Sequence, residues 1–171
     1  MNAIYERTSV RQYAPEKVSD QEIEKILKAG FCAPSAVNKQ PWQLIVVKEK
    51  DNLEQLSHCS PYALPLKEAA FAIVVMADTS HHLADGYDIQ DLAALTENML
   101  IEAEDLGIGS VWLGIYPEKE RIEWLKKHFE LPDHIVPYWV VSFGYPLHEQ
   151  KPKDKWDPAK IHYETYGEKA I

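Results

Sequence analysis

The residues from about Ile89 to Leu106 show the strongest periodicity in the chain. Apolar and small side chains recur there at the 3.6-residue spacing of an α-helix, at Ile89, Leu92, Ala93, Thr96, Met99, Leu100, Ala103 and Leu106. Gly107 follows directly and is the expected stop, because glycine readily adopts the left-handed conformation that ends many helices. The sequence therefore predicts a long amphipathic helix whose acidic side faces solvent, at Asp91, Glu97, Glu102, Glu104 and Asp105.

Shorter periodic segments surround this helix. The stretch SDQEIEKILKAG opens with a capping box, Ser19 and Glu22, and places Ile23, Ile26, Leu27 and Phe31 on one face before Gly30 ends the pattern. Apolar runs at 43–47 and 69–77 predict strands covered on both faces, although the second is also compatible with a buried helix. Runs at 110–115 and 138–144 predict two more strands, with a helix over about 118–128 between them. Strands alternating with helices predict an α/β or α+β layered fold.

Chain organisation favours one domain over residues 1–171, because no internal repeat and no Gly/Ser-rich linker divides it. The tail from Leu147 is rich in Lys, Pro and Asp and has no clear periodicity. It nevertheless carries Trp156, Ile161, Tyr163 and Tyr166, an unusual apolar load for a disordered end. This segment is expected to dock either on its own domain or on a partner subunit, and composition weighs the two equally.

Charge and hydropathy exclude some partners and compartments. The net charge of -9 and the pI near 5.2 argue against nucleic acid and anionic membranes, which select a concentrated basic face. No run approaches the roughly 18 apolar residues that span a bilayer, and Glu6 and Arg7 interrupt any signal-peptide core. Two cysteines without metal-ligand spacing, Cys32 and Cys59, suit reduced thiols. We therefore expect a cytoplasmic protein.

Several familiar catalytic motifs are absent from the sequence. The Gly-x-Gly of GIGSVWLG follows a helix and enters a strand, the reverse of the order in a Rossmann phosphate loop. Ser35 lacks a G-x-S-x-G elbow, so a hydrolase triad is unsupported. His81 and His82 in DTSHHLAD are adjacent and point in different directions, which favours a solvated loop over a metal site.

The stretch ERTSVRQYAP holds two of the chain's three arginines. On a helix, Arg7 and Arg11 would lie one turn apart and repel each other, unless an acid or a bound anion sits between them. Glu6 or a distant acid would serve. Alternatively, Arg7 supplies a bidentate phosphate contact and the Ser9 hydroxyl a further donor. The basic run KPKDK, residues 151–155, would contact the same anion or merely solubilise the surface.

A polar loop, APSAVNKQPW, lies between the first strong helix and a buried strand. Pro34 and Pro41 stiffen it, and Ser35, Asn38 and Gln40 offer the donors and acceptors that read the edge of a planar ring. A helix-capping loop with Trp42 in the core is an equally good interpretation of the spacing.

Taken together, these segments resemble the FMN-dependent nitroreductase family in its short-chain form. The resemblance runs along almost the whole chain, through ERTSVRQYAP, APSAVNKQPWQLIVV, DLAALTENMLIEAEDLGIGSVWLG and SFGYPLHEQKPKDKWDPAKIHYE. It implies an α+β sandwich, with a mostly antiparallel sheet flanked by helices, assembled as an intertwined homodimer with FMN at the interface. It also favours residues 147–171 as a C-terminal arm packing on the partner subunit.

The resemblance also implies a set of cofactor-binding residues. Arg7 and Ser9, joined by Lys153 and Lys155, are implied to bind the FMN phosphate, and Arg11 to lie nearer the pyrimidine end of the flavin. Pro34, Ser35 and Asn38 are implied to line the ring and ribityl chain, and backbone at Leu113 and Gly114 to pass the flavin N5. The full set is Arg7, Thr8, Ser9, Arg11, Pro34, Ser35, Ala36, Asn38, Leu113, Gly114, Lys153 and Lys155.

One residue differs from the family pattern, and the roles of two tyrosines are not decided by the sequence. Many relatives carry arginine where this chain has Lys155, and lysine keeps the charge but loses the planar fork. Tyr62 and Tyr116 would stack on a substrate ring or serve equally well as packing.

The function implied is hydride transfer from NAD(P)H through FMN to a nitroaromatic, a quinone or a similar electron-poor acceptor, by a ping-pong mechanism. It requires no catalytic side chain and no metal. The alternatives are a specialised relative that oxidises, dehalogenates or fragments flavin, a non-catalytic flavin-binding protein, and a ligand-free structural dimer.

Overall fold

The structure is a computed structural model and describes residues 2–84 and 86–168. The described residues form helices α1 (Ala3–Glu6), α2 (Asp20–Phe31), α3 (Lys50–Leu56), α4 (Tyr87–Asp105) and α5 (Lys119–His128). Strands are β1 (Trp42–Val47), β2 (Phe71–Asp78), β3 (Gly109–Gly114) and β4 (Ile135–Gly144). Short 3-10 turns lie at Ala36–Asn38, Leu64–Lys67 and Pro158–Lys160. The expected strands and the three longer helices are thus confirmed within a few residues.

The four strands make one sheet in the order β1-β2-β4-β3. Every neighbouring pair is antiparallel, with Val74 opposite Val140 in the two central strands and Leu113 opposite Val140 at the β3 edge. β2 is a strand and not a buried helix, which settles the alternative that its apolar run left open. The α+β class with an antiparallel sheet is confirmed.

Helices cover both faces of the sheet. Alternate residues of β2, Phe71, Ile73, Val75 and Ala77, pack on the side of α2 and α4, and the residues between them pack towards α3 and α5. Because successive strand side chains point to opposite faces, a strand buried on both sides must be apolar throughout, as this run is. The Phe71 and Phe143 rings stack with their centroids 4.7 Å apart. Truncating a ring so placed to alanine costs about 3–5 kcal/mol.

Helix α2 begins with the capping box that the sequence predicts. The Ser19 backbone N–H donates to Glu22 Oε2 at 2.8 Å, and the Glu22 N–H donates to Ser19 Oγ at 3.3 Å. Gly30 does not end the helix, since α2 continues to Phe31. A Cβ at Gly30 would lie 2.7 Å from Met99 Cγ, so this glycine lets α2 approach α4 closely.

Three other expectations about local exposure or conformation are wrong. Asp91 is buried rather than solvated, because it faces a loop from a distant part of the sequence. Phe31 and Ile89 are exposed rather than buried, being 55% and 37% accessible near the ends of their helices. Arg7 and Arg11 do not share a helix, since α1 ends at Glu6. None of the helices among the described residues has the length and hydropathy for crossing a bilayer.

Candidate functional site

The N-terminal segment after α1 is fixed against the β3 edge of the sheet. Val10 N–H donates to the Ser110 carbonyl at 2.9 Å, and Ser9 forms a parallel bridge with Ser110. Gly109 permits this approach, because a Cβ there would lie 2.6 Å from Val10 Cγ2. The backbone contacts therefore hold residues 7–11 beside β3 in an extended path.

Tyr13 anchors the same segment to β4. Its hydroxyl donates to the Val10 carbonyl at 2.9 Å and lies 2.8 Å from Ser142 Oγ. The ring is buried, and burial raises the pKa of Tyr13 despite the hydrogen bond from Ser142. A neutral, fully bonded tyrosine of this kind is a structural anchor.

A cavity of about 940 Å³ opens between this segment and the C-terminal tail. We call it the cationic cavity, and its lining includes Arg7, Thr8, Ser9, Arg11, Lys153 and Lys155, with Ile4, Tyr5, Glu97, Gln150, Lys151, Pro152, Asp154 and Trp156. Five cationic side chains thus face two carboxylates in a chain whose net charge is -9. Six of the expected cofactor-binding residues therefore line this one space, and they are Arg7, Thr8, Ser9, Arg11, Lys153 and Lys155.

The polar groups of the cationic cavity retain unused donors. Arg7 Nε lies 3.5 Å from Glu97 Oε1, so the distant acid considered from sequence does pair with Arg7. One contact of that kind leaves most of the five guanidinium N–H groups of Arg7 free to bind a ligand. Arg11 Nη1 donates to the Ser9 carbonyl at 3.3 Å. Within the described part of the chain, the buried Thr8 Oγ1 has no hydrogen-bond partner. Orphaned and cationic donors on one wall fit an anion such as a phosphate.

The loop at residues 34–40 lies outside the cationic cavity of its own chain. Val37, Asn38 and Gln40 have positive φ values of 43°, 58° and 50°, which are strained for residues other than glycine. Gln40 N–H donates to Ser35 Oγ at 3.0 Å, and the Gln40 side chain donates to Asn38 Oδ1 at 2.8 Å. Neither Pro34 nor any other described residue of this loop lines the cationic cavity of its own chain.

Asp91 ties this loop to helix α4. Its Oδ1 accepts the Ala36 backbone N–H at 2.8 Å, and Asp91 is only 5% exposed. Its other oxygen is buried and, among the described residues, has no hydrogen-bond partner. Sequence periodicity assigned Asp91 to solvent, and only contact information across 55 residues would have identified it. Trp42, next to the loop, is buried in the core as the second interpretation of this segment expected.

The last two expected residues lie at the end of β3. Leu113 is buried in the sheet, whereas Gly114 is exposed and its carbonyl accepts from Arg121 Nη1 at 3.1 Å. Tyr116 is 45% exposed and stacks on Tyr138 with centroids 4.7 Å apart. The sequence pattern did not single out Arg121, which lies inside the helix expected over about 118–128.

The paired histidines belong to a separate network near the start of α4. His81 Nδ1 lies 3.1 Å from Asp78 Oδ2, and His82 Nδ1 lies 3.5 Å from Asp88 Oδ2. Burial opposes ionisation of Asp88, but hydrogen bonds from Tyr138 and from backbone N–H groups hold its pKa below the usual range. No group of three metal-ligating side chains occurs in residues 2–84 and 86–168, and Asp85 of this motif lies outside them.

Comparison with known proteins gives consistent matches along the chain. The model of the family described as "Nitroreductase family" matches residues 4–65 and 54–145. A protein of Archaeoglobus fulgidus with the provisional description NADH dehydrogenase/NAD(P)H nitroreductase is 44% identical, over 97% of this chain and 98% of its own length.

Two solved structures are similar over nearly the whole fold. A protein of Clostridium acetobutylicum, provisionally described as an NADH oxidase, superposes with a TM-score of 0.93 at 44% identity, over 96% of this chain and 99% of that one. A provisionally described nitroreductase of Desulfovibrio desulfuricans, solved in complex with FMN, gives a TM-score of 0.84 at 29% identity, over 96% and 95%.

Proposed function

The chain belongs to the nitroreductase family, and on that premise we propose that it is an FMN-dependent oxidoreductase that passes hydride from NAD(P)H to an electron-poor acceptor. The observation that carries the proposal is the cationic cavity, where five cations and the orphaned Thr8 hydroxyl converge in an acidic protein. Bound there, FMN would supply the redox chemistry, so the protein needs to contribute binding and electrostatics rather than a catalytic acid or base.

The binding residues divide into four groups along the flavin, and three of them come from one chain. Arg7, Thr8, Ser9, Lys153 and Lys155 would hold the phosphate, since guanidinium, hydroxyl and ammonium groups there have donors to spare. Arg11 would stabilise negative charge on the ring with its own positive charge. The backbone of Leu113 and Gly114, at the far end of β3, would face the reacting edge. Ser110 and Gly114 are about 13 Å apart along an extended strand, which separates phosphate and ring subsites.

We propose that the remaining group comes from a second copy of the chain. Pro34, Ser35, Ala36 and Asn38 do not reach the cationic cavity of their own chain. The tail from residue 147 exposes Trp156, Tyr163 and Tyr166, which are 72%, 51% and 94% accessible. Several exposed aromatic side chains on one segment favour a protein interface. The tail would therefore act as an arm of an intertwined homodimer, and each site would combine one chain's cavity with its partner's loop.

A ping-pong cycle with a nitroaromatic or quinone as acceptor suits this arrangement. The nicotinamide and the acceptor would use the same open face near Gly114 in turn, so the oxidised nicotinamide leaves before the acceptor binds. Free thiols at Cys32 and Cys59 suit the reducing cytoplasm, where we propose that the protein acts.

Flavin binding tests the cavity assignment. Arg7→Ala is expected to raise the Kd for FMN by about 10–150-fold, as the loss of a charge-assisted hydrogen bond does. The matched control is Lys127→Ala, which removes an exposed cation on α5. Fluorescence quenching of FMN titrated with apoprotein measures both, and equal affinity of the two variants would overturn the phosphate assignment.

Heterodimers test the shared site. In a dimer of one Arg7→Ala chain and one Asn38→Ala chain, a site built from both subunits carries either two defects or none, so half the sites keep FMN. If each site were built from one chain, both would be defective. A separate assay tests turnover, by measuring steady-state oxidation of NADH and NADPH with several acceptors. If neither nicotinamide is oxidised with any acceptor, the proposed reductase activity is refuted.

A further inference from the structure

Arg121 lies where β3 ends and α5 begins. Its Nη1 donates to the Gly114 carbonyl at 3.1 Å, and its backbone N–H donates to the Glu118 carbonyl at 3.1 Å. The guanidinium carbon lies 5.8 Å from the centre of the Tyr62 ring, within cation–π range. Two elements far apart in sequence thus hold the same cation in place.

No described carboxylate pairs with this cation. Among residues 2–84 and 86–168, no carboxylate oxygen lies within 4.0 Å of the Arg121 guanidinium nitrogens, whereas Arg7 pairs with Glu97. Of the three arginines, Arg11 also pairs with no described carboxylate, but Arg11 lies in the cationic cavity, whereas Arg121 lies at the Gly114 end of the site. One guanidinium N–H is used by Gly114, which leaves further donors in a half-buried group.

Two tyrosines provide flat surfaces in this region, Tyr62 beside the cation and Tyr116 two residues after Gly114 in the chain. Tyr62 is 72% exposed, and the Arg121 guanidinium lies near its ring. Tyr116 is 45% exposed and stacks on Tyr138. Tyr138 is itself held by a hydrogen bond to Asp88. The Tyr116 ring is therefore supported from behind, with an open side for a planar ligand.

We propose that Arg121, with Tyr62 and Tyr116, recognises the anionic group of the planar molecule that exchanges electrons at the Gly114 end of the site. The chemistry that the cluster selects is a planar ring in a molecule that also carries an anionic group, either on the ring or linked to it. Two sources have it, the phosphates of the nicotinamide donor and a carboxylate or phosphate on the acceptor. This inference rests on the proposed function and adds to it a preference for charged over neutral substrates.

Matched substrate pairs test the inference in the purified holoenzyme. The donors are NADH and 1-benzyl-1,4-dihydronicotinamide, which lacks phosphates, and the acceptors are 4-nitrobenzoate and 4-nitrobenzamide. For Arg121→Gln, the ratio of kcat/KM for the charged member to that for the neutral member should fall by about 10–100-fold in at least one pair. Arg121→Lys, which keeps the charge, should recover part of that ratio. A change in the donor pair identifies the nicotinamide phosphates, and a change in the acceptor pair identifies a charged acceptor.

Unchanged ratios in both pairs would overturn the inference, because a merely structural arginine affects charged and neutral substrates alike. Inhibition by benzoate and by benzamide gives a second measure that needs no turnover of a charged substrate. If the acceptor pair is the one that changes, Arg121→Gln should weaken inhibition by benzoate and leave inhibition by benzamide unchanged. Equal weakening of both would then count against the assignment. Failure of the proposed function is distinct, since wild type would then lack turnover with every pair or lack FMN.

Discussion

Replacing Asp91 with alanine tests whether the strained loop at residues 34–40 must be tied down to bind flavin. The substitution removes the acceptor 2.8 Å from the Ala36 N–H, in a position 5% exposed. A hydrogen bond to a carboxylate contributes about 1.5–3 kcal/mol. The free energy of unfolding should fall by a similar amount, which lowers Tm by roughly 2–4 °C per kcal/mol for a chain of this size.

The loop should lose more than stability. Residues held at positive φ cost about 1–3 kcal/mol each, and Val37, Asn38 and Gln40 are all in that region. Without the Asp91 contact the loop can relax to a less strained shape. Each 1.4 kcal/mol that is needed to restore the binding shape raises the Kd for FMN tenfold. We therefore expect the Kd for FMN to rise about 10–100-fold.

Two variants control this measurement. Asp91→Asn keeps an acceptor oxygen and should lose less affinity, while Asp105→Ala removes an exposed acid at the end of the same helix. Urea unfolding gives the stability of each variant, and fluorescence titration of apoprotein gives the affinity. If Asp91→Ala loses stability and yet binds FMN like wild type, the loop does not contribute to the flavin site.

Three further predictions concern the scaffold. Gly109→Ala should lower the free energy of unfolding in urea by about 1–3 kcal/mol, because the added Cβ would lie 2.6 Å from Val10 Cγ2. Gly114→Ala should lower it much less, since a Cβ there meets no described atom within 4 Å. Equal effects would contradict the close packing at Gly109. Hydrogen bonds from Ser19 lower the pKa of Glu22 below 4.5, so its contribution to stability is present above that pH and lost as the pH falls through its folded pKa. The destabilisation by Glu22→Gln should thus be larger at pH 7 than at pH 3, and pH-independent destabilisation would exclude this linkage. Burial raises the pKa of the Cys59 thiol to about 12, so a thiol reagent at pH 8 should modify it in urea but not in the native protein, as peptide masses would report.

Local signals predicted most of the fold. The capping box at Ser19, the periodic run up to Leu106 and the apolar strand at Phe71 each carry their own pattern within a few residues, and each element formed as expected. Helix α3 was not anticipated, because at seven residues and without a side-chain cap it depends on tertiary packing.

The site was less accessible to sequence reasoning. Asp91 follows the spacing of a solvent-facing acid, and only the arrival of the Ala36 loop, 55 residues away in sequence, makes it a buried anchor. Arg121 looked like an ordinary surface cation, because its relation to Gly114 and Tyr62 exists only after β3 and α5 are assembled. Such residues are defined by long-range contacts, which single-sequence periodicity does not contain.

The cationic cavity takes its walls largely from two segments, residues 4–11 and 150–156, that are synthesised far apart in time. Arg7 and Ser9 are synthesised before β1, but Lys153 and Lys155 are synthesised only after β4. A nascent chain therefore cannot assemble the full cavity. If the cavity holds the flavin phosphate, cofactor loading must wait until Lys155 has been synthesised and the two segments have come together.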